Sequence, residues 1–155
     1  TMRRQAEDFG AILIRFKNGA IGIVEGTACV YPKNLEETLS IFGGTGTAVI
    51  GGLAVNRVQT WNFETPAPQD DEVAKINGTD PKDVYGSGHT PLYANYIHAI
   101  ENGVDPLVSG TEAIKAMKII LAAYKSQKTG QPVKFDDLEF STLDMQDSDV
   151  RWHRG

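Results

Sequence analysis

The sequence predicts an α+β fold, an open-faced and predominantly antiparallel β-sheet with helices packed on one face. Three observations predict it. β-rich runs joined by Asn/Gly turns fill the first half. Amphipathic helical stripes fill the second, and no strand–helix–strand alternation links the two halves.

The first pair of strands is Phe9 to Phe16 and Ala20 to Tyr31, separated by Lys17-Asn18-Gly19. An Asn-Gly step between β-rich runs marks a hairpin, because a tight turn needs positive φ. After the break at Pro32-Lys33-Asn34, Glu37 to Phe42 alternates polar with apolar, Gly43-Gly44-Thr45-Gly46 turns, and Thr47 to Ile50 resumes. A further strand within Leu53 to Phe63, carrying Val55, Val58 and Trp61, completes an expected antiparallel meander of at least four strands.

From Glu64 to Gly88 the composition shifts to Pro, Asp, Gly and Lys. So long a loop costs more conformational entropy than its few apolar residues offset, and it reads as a lid or flap. Thr90 is then the expected N-cap of a helix with Pro91 in its first position, an apolar stripe of Leu92, Tyr93, Tyr96, Ile97 and Ile100, and an end at Gly103. The next helix opens on a capping box of Ser109 and Glu112. It carries Ile114, Met117, Ile120, Leu121 and Tyr124 on one face and ends at Gly130. Pro132 to Phe135 reads as a short closing strand, and an acidic, poorly periodic tail follows from Asp136. The domain is thus expected over 1–135, with a tail over 136–155.

Both phases of the first hairpin are apolar, Ile12, Ile14 and Phe16 on one side and Ala11 and Leu13 on the other. A sheet apolar on both faces is commonly covered on both. Two helices cover one, so the other is expected to pack against another subunit or domain.

Composition narrows the function. The chain has 155 residues, 41% hydrophobic and 23% charged, the range of a soluble single domain. A net charge of −5 without any Lys/Arg-rich run gives no footprint for nucleic acid. No apolar run is long enough to span a membrane. The single Cys29 forms no intrachain disulfide, and the expected setting is cytoplasmic. Asn77-Gly78-Thr79 matches a glycosylation acceptor, but nothing else indicates a secretory route.

The candidate chemistry is sparse. Gly43-Gly44-Thr45-Gly46 resembles a phosphate loop only in its glycines. It leads into a strand rather than a helix, so it is read as a turn. His98 reads as a residue of a solvated helix face. His89, in Gly86-Ser87-Gly88-His89-Thr90-Pro91, sits where a loop enters a helix N-terminus, a place that offers donors to an anionic or hydroxylated ligand. Asp149 and His153 have helical spacing without a helical pattern, and Asp70-Asp71-Glu72 reads as a solvated run rather than a cation site. Ser40, Ser87 and Ser109 lack a nucleophile's context. Tyr31, Trp61 and Tyr85 are either ring-stacking residues or ordinary core and interface aromatics. No metal site, cofactor-binding residue or complete catalytic set is expected.

Five pieces in fixed order carry a resemblance: Phe16 to Gly22, Ser40 to Ile50, Gly88-His89, Tyr96 to Gly103, and Pro106 to Ala113 ahead of Ala123 to Ser126. Over roughly Asp8 to Phe135 the chain resembles the C-terminal domain of the Gfo/Idh/MocA oxidoreductases. The resemblance implies a parent enzyme that passes a hydride between NAD or NADP and a hydroxyl carbon of a sugar, sugar nucleotide, inositol or related polyol. It also implies homo-oligomers built through the open sheet face. The family's lysine, in a Glu-Lys-Pro motif, belongs to an N-terminal Rossmann domain, and its Asp-x-x-x-His pair precedes the first hairpin. Neither motif has a matching place here, and the roles do not pass to Asp149 and His153. The chain alone is therefore expected to be inactive and to supply substrate contacts only, with Tyr31, His89 and Tyr93 as candidates. Two other readings stay open: a stand-alone module for small-ligand binding or self-association, and a hydrolase with the long loop as its lid.

Overall fold

Strands β1 (Phe9–Arg15) and β2 (Ile21–Thr27) pair antiparallel, with Arg15 opposite Ile21 and Phe9 opposite Thr27. In the computed structural model, which describes residues 7–75, 78 and 88–146, the turn between them spans three residues. Phe16 N–H donates to the Ala20 carbonyl at 2.9 Å and Gly19 N–H to the Phe16 carbonyl at 3.0 Å. Gly19 has a φ of 91°, and Asn18 keeps an ordinary backbone with its side-chain oxygen on Ala20 N–H. This is the three-residue hairpin pattern, in which only the last turn residue is left-handed. The hairpin stands where the sequence predicts it, but the Asn-Gly step needs one positive φ rather than two.

The pairing sets Leu13 against Ile23 and Ile12 against Val24. Phe16 folds back over Gly22 on the Ile12 and Ile14 side, where a Cβ at Gly22 would meet the ring at 3.0 Å. Ile12 and Ile14 are accordingly half-buried. Leu13 and Ile23 stand on the other face, 74% and 76% exposed, so that face is open.

Strands β3 (Leu39–Gly43), β4 (Gly46–Gly51) and β5 (Arg57–Phe63) form a second antiparallel sheet in the order β3-β4-β5. Leu39 faces Ile50, Ile41 faces Ala48, and Ala48 faces Trp61, which places the apolar phase of all three strands on one side. Gln59 is the extra residue of a bulge, since Val49 pairs with Thr60 while Ile50 pairs with Val58. Gly46 lies under the Phe63 ring, where a Cβ would come within 2.3 Å. The five strands thus divide between two sheets instead of forming one meander. β2 ends at Thr27, whose hydroxyl bonds the Asp8 carbonyl, and the segment through Pro32 that follows lacks an N–H at the proline.

Between β4 and β5 the chain turns through Gly52 at φ 101° and Val55 at φ 51°. A β-branched residue in the left-handed region is strained. Asn56 holds the turn, accepting from Ala54 N–H, and it exchanges backbone and side-chain bonds with Gly78. Val55→Asn, which tolerates this conformation, is expected to stabilise the chain by about 1 kcal/mol. Thermal unfolding checks it: an unchanged or lower midpoint would count against the strain.

The helices are α1 (Asp70–Val73), α2 (His89–Asn102) and α3 (Gly110–Thr129). α1 is a single turn within the stretch read as loop, and it touches β5. α2 starts one residue before Thr90, with Leu92 N–H donating to the Gly88 carbonyl, so Thr90 and Pro91 lie inside its first turn and Thr90 is not the cap. Proline is tolerated there because first-turn N–H groups have no intrahelical acceptor. α3 begins and ends as expected. Ser109 Oγ accepts from Glu112 N–H, and Gly130 closes the helix at φ 66° with its N–H on Ser126. The capping box is half-formed, since the Glu112 carboxylate takes Lys115 at 2.6 Å instead of returning to Ser109. Pro132 to Phe135 is not a strand; Phe135–Asp137 forms a 3-10 turn that contacts α3.

Two compact units result, Thr1–Ala94 and Asn95–Gly155. The first holds both sheets. In the second, the end of α2 clasps the loop before α3: Asn95 Oδ1 accepts from Leu107 N–H, and Tyr96 hydroxyl donates to the Val108 carbonyl. Ala99 is buried there. Another 3-10 turn, Asp144–Gln146, is tied to α3 by Lys128 Nζ, which donates to the Asp144 carbonyl at 3.0 Å. The fold is α+β, with open antiparallel sheets, as the sequence predicts.

Candidate functional site

The start of α2 brings two of the three candidate residues together. His89 and Tyr93 are four apart, the spacing that stacks side chains on one helical face. Their ring centroids are 6.5 Å apart with planes at 30°. Gly88 precedes them, and among the described residues nothing lies within 4 Å of where its side chain would stand. A helix N-terminus presents backbone donors and the positive end of its dipole. Tyr93 is 65% exposed, which removes it from the core. The arrangement places the two rings beside the first backbone donors of α2.

Tyr31 stands apart from these rings in the chain, on the segment after β2. Ala28 N–H on the Asp8 carbonyl and Cys29 N–H on Thr27 Oγ1 hold the start of that segment to the hairpin. The Tyr31 ring is 95% exposed, so it is a surface residue and not a core aromatic.

Trp61 has a defined structural partner that sequence reading missed. Its indole N–H donates to Asp70 Oδ1 at 2.9 Å, while Ala67 N–H donates to Asp70 Oδ2. Asp70 is thereby a latch between α1 and β5, rather than one carboxylate of a solvated run. The only sequence signal is the acidic first turn Asp70-Asp71-Glu72, which favours a helix N-terminus. The backbone bond from Ala67, followed by the Trp61 bond, holds the Asp70 carboxyl below its ordinary value of 3.8. A carboxyl lowered in the folded state contributes stability above its unfolded value, and that contribution is lost as pH falls through the folded one. With Trp152→Phe leaving Trp61 as the remaining tryptophan, indole emission is expected to shift on acidification below pH 3.8. Asp70→Ala should give the shifted emission already at neutral pH; identical spectra would contradict the latch.

Other candidates resolve plainly. His98 is exposed on α2, with Asn102 Nδ2 donating to its carbonyl at 2.8 Å and lying 3.0 Å from its Nδ1. Gly43 to Gly46 joins two strands as a turn. Ser109 is a cap, and Ser40 lies within β3, opposite Val49. Among the described residues no three His, Cys, Asp or Glu side chains are grouped to hold a metal, and no helix is long and apolar enough to cross a membrane. Tyr85, Ser87, Asn77, Asp149 and His153 lie outside the described residues, as do 76–77 and 79–87 of the stretch read as a lid.

The match to known proteins follows the same architecture. Residues 1–135 match the model of an oxidoreductase family's C-terminal alpha/beta domain. The chain belongs to the Gfo/Idh/MocA oxidoreductase family, as a C-terminal domain of that family. It is similar to the WlbA dehydrogenase from Bordetella pertussis, solved with NADH and UDP-GlcNAcA, at 33% identity and a TM-score of 0.74 over 86% of this chain. It is also similar to the WlbA dehydrogenase from Chromobacterium violaceum, solved with the same two ligands, at 34% identity and a TM-score of 0.68 over 82% of this chain. The chain spans 40% and 34% of those two proteins. The comparison with curated proteins finds no significant match.

Proposed function

We propose that this chain is the substrate-side and self-associating domain of an oxidoreductase that transfers a hydride between NAD or NADP and a hydroxyl carbon of a sugar, sugar nucleotide or polyol. The observation that carries the reading is family membership over 1–135, together with similarity at about one-third identity to two dehydrogenases solved with NADH and a sugar nucleotide. The segment from Asp136 acts as a tail to this domain. The dinucleotide is held elsewhere in the whole protein. The glycine-rich turn Gly43 to Gly46 runs into β4 and offers no helix N-terminus to a pyrophosphate. Nicotinamide supplies hydride acceptance and donation; the chain's own part is to bind and orient the substrate.

Tyr31, His89 and Tyr93 form the substrate contacts. The exposed Tyr93 ring and its stacking with His89 support a face against which a sugar ring lies, with donors of the helix start beside it. A second copy of the chain covers the open hairpin face around Leu13 and Ile23. A lone cysteine fits a cytoplasmic setting.

The test is turnover by the full-length protein, followed as reduction of NAD and of NADP across sugar nucleotides, free sugars and polyols. Reduction with at least one member of the panel is expected. Hydrolysis of esters or glycosides, with no redox turnover on any of them, would overturn the reading.

A further inference from the structure

We draw no further inference here: the strongest candidate, the open apolar face of the β3-β4-β5 sheet lined by Leu39, Ile41, Ile50, Trp61 and Phe63, carries none because nothing in the structure shows what covers it.

Discussion

Leu13→Glu is expected to leave the strands and helices formed and to break the self-association proposed for the chain. Leu13 and its cross-strand partner Ile23 are largely exposed, and Phe9 and Ile21 share their face at 53% and 57% exposure. Withdrawing such a side chain fully from water is worth about 1.5–3 kcal/mol. A carboxylate placed at the centre of the same contact without a cation loses that gain and adds the cost of burying an unpaired charge. Weakening by about 3 kcal/mol or more raises the dissociation constant roughly 100-fold. A two-stranded hairpin is marginal by itself, which is a further reason to propose that its open face is covered. Light scattering and circular dichroism on wild type and variant decide the matter. The expected result is a multimer that becomes a smaller species with unchanged secondary structure. An unchanged mass would show that this face is not the contact. A collapsed spectrum would show that the chain itself covers it.

The second large effect concerns substrate. Under the proposed function, His89→Ala and Tyr93→Ala in the full-length protein are each expected to raise KM for a sugar substrate by up to about tenfold, equivalent to about 1.4 kcal/mol. The effect on kcat should be smaller. A shelf that holds the substrate equally in ground and transition states contributes uniform binding, so its loss falls on KM. KM for the nicotinamide should not move. The double variant tests whether the two rings act together: stacked rings that form one surface should lose less in combination than the two single losses added. Steady-state kinetics with both substrates varied gives all of these values. A change in cofactor KM with sugar KM untouched would place the pair elsewhere.

Much of the fold is legible in the sequence because its signals are local. Lys17-Asn18-Gly19 marks the hairpin, Ser109 and Glu112 mark the start of α3, and Gly130 marks its end; each is a short-range device that works without tertiary help. What depends on distant partners is not legible. Whether β2 continues beside β3 is decided by where backbone donors find acceptors, and alternation alone does not say which strands are neighbours. α1 is too short to show a period, and its anchor, Trp61 to Asp70, joins residues nine apart through an indole N–H that no pattern announces. The closing strand expected at Pro132 fails for a similar reason, since strand propensity without a neighbouring edge forms no ladder. For the site, the Gly88-His89 junction is readable as a loop entering a helix. The stacking of His89 on Tyr93 emerges only once α2 begins at His89, which puts both residues on one face. The redox reading comes from neither local chemistry nor this geometry but from the ordered set of family pieces.

The most direct measurement is isotopic. A sugar or polyol substrate carrying deuterium on the carbon that bears the reacting hydroxyl is turned over by the full-length protein, and the reduced nicotinamide is recovered for mass spectrometry. The account predicts one deuterium per molecule on the nicotinamide ring. Recovery of the label in solvent water, with unlabelled dinucleotide, would contradict hydride transfer and the oxidoreductase role assigned to the parent of this domain.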